Sequence, residues 1–234
     1  KDFVNQYLAS QTGRMALYSE SAKIKFFQHG WNGTAAITGP TSWTTNTWHH
    51  VALVNSDEAR HFYLDGNHQG GAHTVGADMM VQNTKIGALD LNSTLQGFIN
   101  GHMHDVRISK GLARFPYIAK PVTLTQINSG MEKPDGTFPT ATASNTKLLA
   151  FSTSTITNDG SASPHTLTAA GSAAASSSII PAPGMHSAYF ANGDADLVTI
   201  PASADHQIYG GDYTVEAWLY PTNFNGSYNY FASK

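Results

Sequence analysis

Hydrophobic and polar residues alternate along the chain in short runs, which is typical of β-strands. The most legible run, Thr47 to Gly66, reads TWHHVALVNSDEARHFYLDG. Its first half carries aromatic and aliphatic residues on both parities, which predicts a central strand covered on both faces. A polar turn at Asn55 to Ala59 separates it from a second short strand, His61 to Leu64. Asp65-Gly66 then supplies a positive-φ turn, so the sequence predicts an antiparallel meander.

Further strand-like runs lie on both sides of this meander. They are Gln6 to Gln11, Arg14 to Ser19, Lys23 to Gln28, Ala35 to Ile37, Thr84 to Gly87, Phe98 to Lys110, Ser144 to Phe151 and Tyr213 to Tyr220. A hairpin is predicted at Thr155 to Ala169, and Trp218 is expected to lie in the core. The Ala/Ser-rich stretch Ala170 to Ser178 is predicted to be extended, because serine and the neighbouring Pro and Gly disfavour a helix. We therefore expect little or no helix.

Three stretches resemble laminin-G-like domains, members of the concanavalin A-like jelly-roll superfamily that occur as repeats in bacteriophage and bacterial surface proteins. The first is the central run, which ends in Phe-Tyr-Leu-Asp-Gly. The second, Phe98 to Phe115, is similar to a pattern F-x-G-x-I-D-D-V-R-I-x-K-G followed by A-R-F. The third, Ser187 to Pro221, is similar to S-A-Y-F-x-G-x-x-D-Y-L-T-I-P followed by G-D-F-T-I-E-A-W-V-Y-P. The resemblance implies an all-β, antiparallel jelly-roll sandwich.

The order of these landmarks is inverted relative to the family. Residues 1–120 resemble the C-terminal portion of one laminin-G-like domain, residues 121–143 a linker, and residues 144–234 the N-terminal portion of the next. Tandem repeats cut across their boundary or one circularly permuted domain spanning 1–234 would each explain this order. Gln6 to Gln11 (QYLASQ) resembles Asn229 to Lys234 (NYFASK), which favours tandem repeats because a permuted domain should not contain one strand twice.

The amino-acid composition excludes several classes of function. Only 12% of residues are charged and the formal net charge is -3, which gives no electrostatic footprint for nucleic acid or an anionic membrane. The chain has no cysteine, which excludes disulfides and thiolate chemistry. No apolar run approaches the roughly 20 residues of a membrane helix. These features are compatible with a displayed β-sandwich.

The motifs of common catalytic sites are absent from the sequence. Concanavalin-like glucanases carry paired carboxylates in an E-x-D-x-x-E type motif. The chain has four glutamates, and none of them lies in such a motif. There is also no G-x-S-x-G elbow, phosphate-binding Gly loop or H-E-x-x-H helix. We therefore predict that the chain is not an enzyme and needs no cofactor.

Two clusters have residue types that bind metals. His102 and His104 share one strand face, a spacing that can hold a metal around a symmetry axis, although exposed strand residues are the simpler interpretation. Asn192, Asp194 and Asp196 form an oxygen-rich turn that could coordinate Ca²⁺, although such turns are usually solvated. The prediction is no bound metal, with these two sets as the alternatives.

Glycan binding needs loop aromatics beside amides, because a ring face packs on a pyranose while amides bind its hydroxyls. Two groups qualify: Trp31 with His29 and Asn32, and Tyr228 with Asn225 and Asn229. Each aromatic ring could equally be buried.

The resemblance implies a non-enzymatic structural and adhesive module of a virion, such as a phage fibre, tail or capsid-decorating protein, that recognises host surface glycans. The alternative is a carbohydrate-binding domain of a secreted bacterial adhesin or polysaccharide-degrading enzyme. The expected location is a virion or an extracellular surface. Expected partners are glycans, other virion proteins and neighbouring repeats, with a homo-oligomer also compatible.

Overall fold

The fold is described here from a computed structural model. It describes residues 14–20, 23–30, 33–56, 59–69, 73–74, 83–91, 94–114, 143–191, 195–207, 211–223 and 228–233. Within these residues no helix is long and apolar enough to cross a membrane.

The described residues form an antiparallel β-sandwich, as the sequence predicts. Two short 3₁₀ helices, Ala143–Asn145 and Ala204–His206, accompany the strands. The strands are β1 (Arg14–Glu20), β2 (Lys23–Gly30), β3 (Gly33–Ser42), β4 (His49–Ser56), β5 (Ala59–Leu64), β6 (Asn67–His68), β7 (His73–Thr74), β8 (Thr84–Ile86), β9 (Leu89–Leu91), β10 (Thr94–Gln96), β11 (Asn100–Lys110), β12 (Thr146–Ala150), β13 (Thr168–Ala170), β14 (Ala174–Ser176), β15 (Ser187–Phe190), β16 (Leu197–Ile200), β17 (Tyr213–Asn223) and β18 (Tyr228–Ser233).

These strands form two large sheets and a small β9–β10 hairpin. The seven-stranded sheet has the order β13-β16-β8-β18-β1-β2-β3. The nine-stranded sheet has the order β14-β15-β11-β17-β4-β5-β6, with β12 also paired to β11 and β7 to β5. The meander predicted around residues 47–66 is confirmed as β4, β5 and β6, and Asp65 and Gly66 have φ angles of 50° and 74° in the turn between β5 and β6.

Strands from the two halves of the sequence are interleaved in both large sheets. In the nine-stranded sheet β17 lies between β11 and β4, and in the seven-stranded sheet β18 lies between β8 and β1. The pairing shows that the two portions complement each other, and the assignment of residues 1–120 and 144–234 to successive laminin-G-like domains stays a prediction. Each half presents apolar strand faces that it cannot cover alone, and pairing the halves removes those faces from water. Permutation and tandem repetition both allow such pairing, and each stays a prediction.

One hydrophobic core fills the space between the two large sheets and draws on both halves. Its buried side chains include Leu17, Phe26, Val51, Phe62 and Ile108 from the first half, and Leu148, Phe190, Val198, Leu219 and Phe231 from the second. The Arg60 guanidinium is buried among them, 5.9 Å from the ring centres of Phe26 and of Tyr213. Burial raises the pKa of Tyr213 to about 12, although the charge of Arg60 opposes this shift. The core is therefore apolar, with one cation held between aromatic rings.

Two sequence predictions on the second half are corrected. Thr155 to Ala169 forms turns and bends instead of a hairpin, with β13 only at its end, because the Asp159 carboxylate accepts backbone N–H groups that would otherwise pair in a ladder. Trp218 was expected in the core. Its neighbours Ala217 and Leu219 occupy the core instead, so Trp218 lies on the opposite face of β17 and is only partly buried.

Gly101 lies where the backbones of β11 and β17 approach each other closely. Its φ angle is +154°, and a Cβ there would overlap the carbonyl oxygen of Tyr220 and lie 3.0 Å from Cα of Pro221. We expect Gly101→Ala to lower the free energy of unfolding by about 3 kcal/mol or more, because strand backbones cannot shift as a side chain can.

Gly184→Ala is the matched control, since Gly184 also has positive φ (+84°) but open space around its Cβ position. It should cost only about 1 kcal/mol. Urea unfolding of both variants measures the difference, and equal losses would contradict the close approach.

Candidate functional site

The nine-stranded sheet has an outer face that points away from the core. In β17, Tyr213, Val215, Ala217 and Leu219 belong to the core, so Thr214, Glu216, Trp218 and Tyr220 lie on the outer face. A second hydrophobic cluster of Ala52, Val54, Tyr63 and Ala113, with Trp218 packed against it, covers part of this face. The outer face is therefore partly covered and carries both aromatic and charged side chains.

Four rings form a continuous row across this outer face, and we call them the aromatic row: Trp48, Tyr220, His102 and Tyr189. Ring centres are 5.4 Å apart for Trp48 and Tyr220, 5.9 Å for Tyr220 and His102, and 4.9 Å for His102 and Tyr189. The row follows the ladder, because His102 pairs with both Tyr189 and Tyr220, and Trp48 immediately precedes β4. Neighbouring strands lie about 4.8 Å apart, so side chains in one register stack in this way.

Exposure differs along the aromatic row. Tyr189 is 36% exposed, one of only two large hydrophobic side chains this exposed in the described part of the chain, while Trp48 and Tyr220 are partly buried. His102 is 5% exposed and lies 3.2 Å from the Ser187 hydroxyl through its Nδ1. The row therefore has a buried polar ring, His102, in its interior, an exposed ring at one end and a partly buried ring at the other.

The aromatic row is uncharged near neutral pH. Burial lowers the pKa of His102 to about 4, so its imidazole is neutral there. Beside the row, the Thr222 hydroxyl donates to the Asn100 side-chain carbonyl at 2.7 Å, and both residues are partly exposed. Neutral rings next to an amide and a hydroxyl are the chemistry that binds uncharged polyhydroxylated molecules.

A buried ionic group, the Glu216 cluster, lies on the same face and consists of Glu216, Arg114, Arg107 and His50. Glu216 Oε1 is 2.6 Å from Nε of Arg114 and 3.9 Å from Nε of Arg107, and its Oε2 is 3.3 Å from Nε2 of His50. Arg107 also donates to both carboxylate oxygens of Asp105, at 3.1 and 2.9 Å. Glu216 is 4% exposed, so its charge is compensated by protein groups instead of water.

These contacts set the protonation state of Glu216. Burial by itself raises the pKa of Glu216, but the hydrogen bond from His50 and the charges of Arg114 and Arg107 outweigh it and hold the pKa below its ordinary value. A glycosidase acid needs a carboxyl whose pKa is raised, so that it carries a proton at working pH. Glu216 is therefore arranged as a structural anion.

A third polar group joins Asp159, His165 and Ser203. Nδ1 of His165 lies 3.1 Å from Oδ2 of Asp159, and its Nε2 lies 3.3 Å from the Ser203 hydroxyl. The contacts have the order of a hydrolytic triad. However, Asp205 Oδ2 is 3.5 Å from the same Nε2, and the Ser203 hydroxyl already accepts the Asp205 N–H. A carboxylate there opposes negative charge on the serine oxygen, so the group fastens two loops together.

The sequence-predicted glycan residues fall largely outside the described residues. This holds for Trp31, Asn32 and Asn225, and for the side chains of His29 and Tyr228. The backbones of the last two pair with opposite ends of β1, His29 with Arg14 and Tyr228 with Glu20. The length of β1 separates them by about 20 Å, so the two groups do not combine into one site.

The residues of the two candidate metal sites that the structure describes are buried within the protein. Asn192 and Asp194 lie outside the described residues, while Asp196 is fully buried and its carboxylate accepts the N–H groups of Ser172 and Ala191. His102 and His104 are buried, which corrects the expectation of exposed strand residues. Within the described ranges no group of three or more His, Cys, Asp or Glu side chains could hold a metal ion.

His104 is occupied by the main chain. Its Nδ1 donates to the carbonyl oxygens of His186, at 2.6 Å, and of Phe151, at 3.1 Å. The imidazole therefore joins the end of β12 to the start of β15, where both strands meet the same edge of β11.

Sequence reasoning missed the aromatic row. Its members come from four distant segments, and their common register is set by long-range strand pairing. The alternation of side chains along a strand could have indicated part of it, because it places Trp48 on the same face as His50 and Tyr220 on the same face as Trp218.

Comparison with known protein families agrees with this fold. Residues 2–113, which are 112 of the 234 residues, match a laminin-G type model described as the concanavalin A-like lectin/glucanases superfamily. The match confirms the laminin-G-like resemblance over these residues. No curated protein sequence and no solved structure matches the chain. The superfamily name covers both lectins and glucanases, which supports a carbohydrate-binding or structural module.

The buried His102 predicts a pH dependence of stability. Its pKa is about 4 in the folded state and 6.5 when unperturbed, so the unfolded state takes up the proton first as pH falls. Stability should decline between pH 6.5 and 4. In His102→Gln this decline between pH 7 and pH 4.5 should be smaller by on the order of 1–2 kcal/mol. Urea titrations at several pH values measure it, and identical pH profiles for both proteins would contradict the assignment.

Proposed function

We propose that the protein is a non-enzymatic, displayed binding module that recognises glycans through the aromatic row. The observation that carries the proposal is the line of Trp48, Tyr220, His102 and Tyr189 across neighbouring strands, with ring spacings of 4.9 to 5.9 Å. Rings placed on rigid strands lose little conformational freedom when a ligand binds. A row of this kind suits an extended oligosaccharide better than a single compact sugar.

The geometry of the row favours contact with individual sugar rings. Its planes are tilted by 55°, 83° and 37° at the three successive contacts, so the rings do not form one flat surface. Tyr189 at one end is exposed, Trp48 at the other end is partly buried, and His102 lies buried between them. Hydrogen bonds from Asn100 and Thr222 would orient sugar hydroxyls at the flank of the row.

Binding without hydrolysis is supported by the Glu216 cluster. Glu216 lies on β17 on the same face as Tyr220 of the aromatic row, two outer-face positions away. Its carboxylate is buried, ion-paired and held in its charged form. Asp105 is engaged by Arg107. Neither carboxylate is placed to donate a proton to a glycosidic oxygen.

We further propose that the protein is located on the surface of a phage or other virion. This location is inferred from the resemblance to repeats of bacteriophage proteins. A chain of low charge without cysteine suits display in a particle assembled in a reducing compartment. In this setting the partners are host surface glycans and neighbouring virion proteins. A carbohydrate-binding domain of a secreted adhesin or polysaccharide-degrading enzyme would use the same aromatic row.

The proposal predicts saturable binding of an oligosaccharide on a glycan array, with a dissociation constant in the millimolar range or tighter. Tyr189→Ala and Trp48→Ala should each weaken that binding about tenfold, because one aromatic stacking contact contributes about 0.5–1.5 kcal/mol beyond its buried area. Isothermal titration with the best array ligand measures the change.

Leu95→Ala is the matched control, since Leu95 is also 36% exposed but lies on β10, outside the nine-stranded sheet. It should leave affinity unchanged. Trp31→Ala tests the competing loop site. Silence across the array would favour a scaffold over a lectin, and release of reducing sugar by the purified chain would replace binding with catalysis.

A further inference from the structure

The contacts of the Ser187 hydroxyl determine which nitrogen of His102 carries a proton. The hydroxyl oxygen lies 2.7 Å from the carbonyl oxygen of Ile179 and 3.2 Å from Nδ1 of His102. Two oxygens at the first distance share a proton, and the carbonyl has none, so the serine proton points to Ile179. The serine oxygen therefore accepts from His102, and Nδ1 of His102 is protonated.

The second ring nitrogen of His102, Nε2, has no proton at neutral pH. Burial lowers the pKa of His102 to about 4, so its imidazole carries a single proton there. With that proton on Nδ1, Nε2 has a free lone pair and acts only as a hydrogen-bond acceptor. Ser187 is fully buried, so this tautomer is fixed from inside the protein.

Nε2 is also the nitrogen that faces outward. It lies at the end of the ring far from Cβ, and His102 pairs with Tyr220 on the outer face of the nine-stranded sheet. Among the described residues Nδ1 makes the hydrogen bond of this ring and Nε2 makes none, yet Nε2 is not one of the unpaired polar atoms there that are closed to solvent. It therefore belongs to the 5% of His102 that solvent reaches.

Aromatic rings lie on both sides of this acceptor. The ring centre of His102 is 4.9 Å from that of Tyr189 and 5.9 Å from that of Tyr220. A pyranose that packs its face on one of these tyrosines would direct its equatorial hydroxyls sideways, toward the neighbouring ring. Nε2 could accept a hydrogen bond from such a hydroxyl, whereas an O-methylated position has no proton to donate.

We propose that Nε2 of His102 is the acceptor that makes the aromatic row specific for sugars with a free hydroxyl at this position. This inference rests on the proposed glycan-binding function and adds the chemical class of the ligand, an oligosaccharide that is not O-methylated where it contacts His102. An O-methyl group there would leave the acceptor unpaired in the complex, and sites that bind a hydroxyl reject analogues that lack it for this reason.

Nitrogen-15 NMR of the histidine-labelled chain tests the proton position without a ligand. At pH 7 Nδ1 of His102 should have the chemical shift of a protonated nitrogen and Nε2 that of an unprotonated one, and His102→Gln assigns both signals. His104 is the internal reference, because its Nδ1 donates to two main-chain carbonyl oxygens. Ser187→Ala should move the His102 proton toward Nε2 and leave the His104 signals unchanged. A proton on Nε2 of His102 in the wild type would overturn the inference.

An array of cellohexaose, xylohexaose and mannohexaose, each beside its O-methylated counterpart, tests the specificity. The wild type should bind an unmethylated glycan about fivefold or more tightly than its counterpart. His102→Phe keeps an aromatic ring without the acceptor and should lose most of this preference. His102→Gln, which offers an amide oxygen instead, should retain part of it. The difference between the wild type and His102→Phe separates this acceptor from the other polar groups beside the row.

The outcomes separate this inference from the function on which it rests. An undiminished preference in His102→Phe, with glycan binding present, would overturn the role of His102 and leave the proposed function standing. Absence of binding to every glycan would overturn the proposed function, and the role of His102 in sugar recognition with it. The NMR result on the wild type decides the tautomer in either case.

Discussion

The ion pair between Glu216 and Arg114 is the constraint on which the rest of the structure depends. Glu216 comes from the second half of the sequence, and Arg114, Arg107 and His50 come from the first. A buried carboxylate without these partners would cost several kcal/mol, so the two halves must close in the register that brings the charges together. Apolar burial drives the closure, and the Glu216 cluster selects the alignment of β17 between β4 and β11.

That alignment also creates the candidate binding face. Tyr220 follows Glu216 on the outer face of β17, and pairing with β11 places it in register with His102. β15, on the other edge of β11, then adds Tyr189 to the same line. The aromatic row is thus a product of the same strand pairing that compensates the buried charge.

The sequence predicted what is local and repetitive. The alternation in β4 and β5, the Asp65-Gly66 turn and the absence of long helices follow from period-two patterns and turn residues. Motif landmarks such as Asp105, Arg107 and Glu216 were identified, but as separate features. Their convergence depends on pairing between residues about 100 positions apart, which no local pattern encodes. For the same reason Trp218 was expected in the core, since parity alone does not say which face of a sheet points inward.

A double-mutant cycle between Glu216 and Arg114 tests the central claim most directly. Unfolding free energies are measured by urea titration for the wild type, Glu216→Gln, Arg114→Gln and the double variant. Each single change removes one charge of a buried ion pair and should cost about 3–5 kcal/mol, while the double variant should cost less than their sum by about 2 kcal/mol or more. Additive losses, with a coupling below about 0.5 kcal/mol, would contradict a clamp between the two halves.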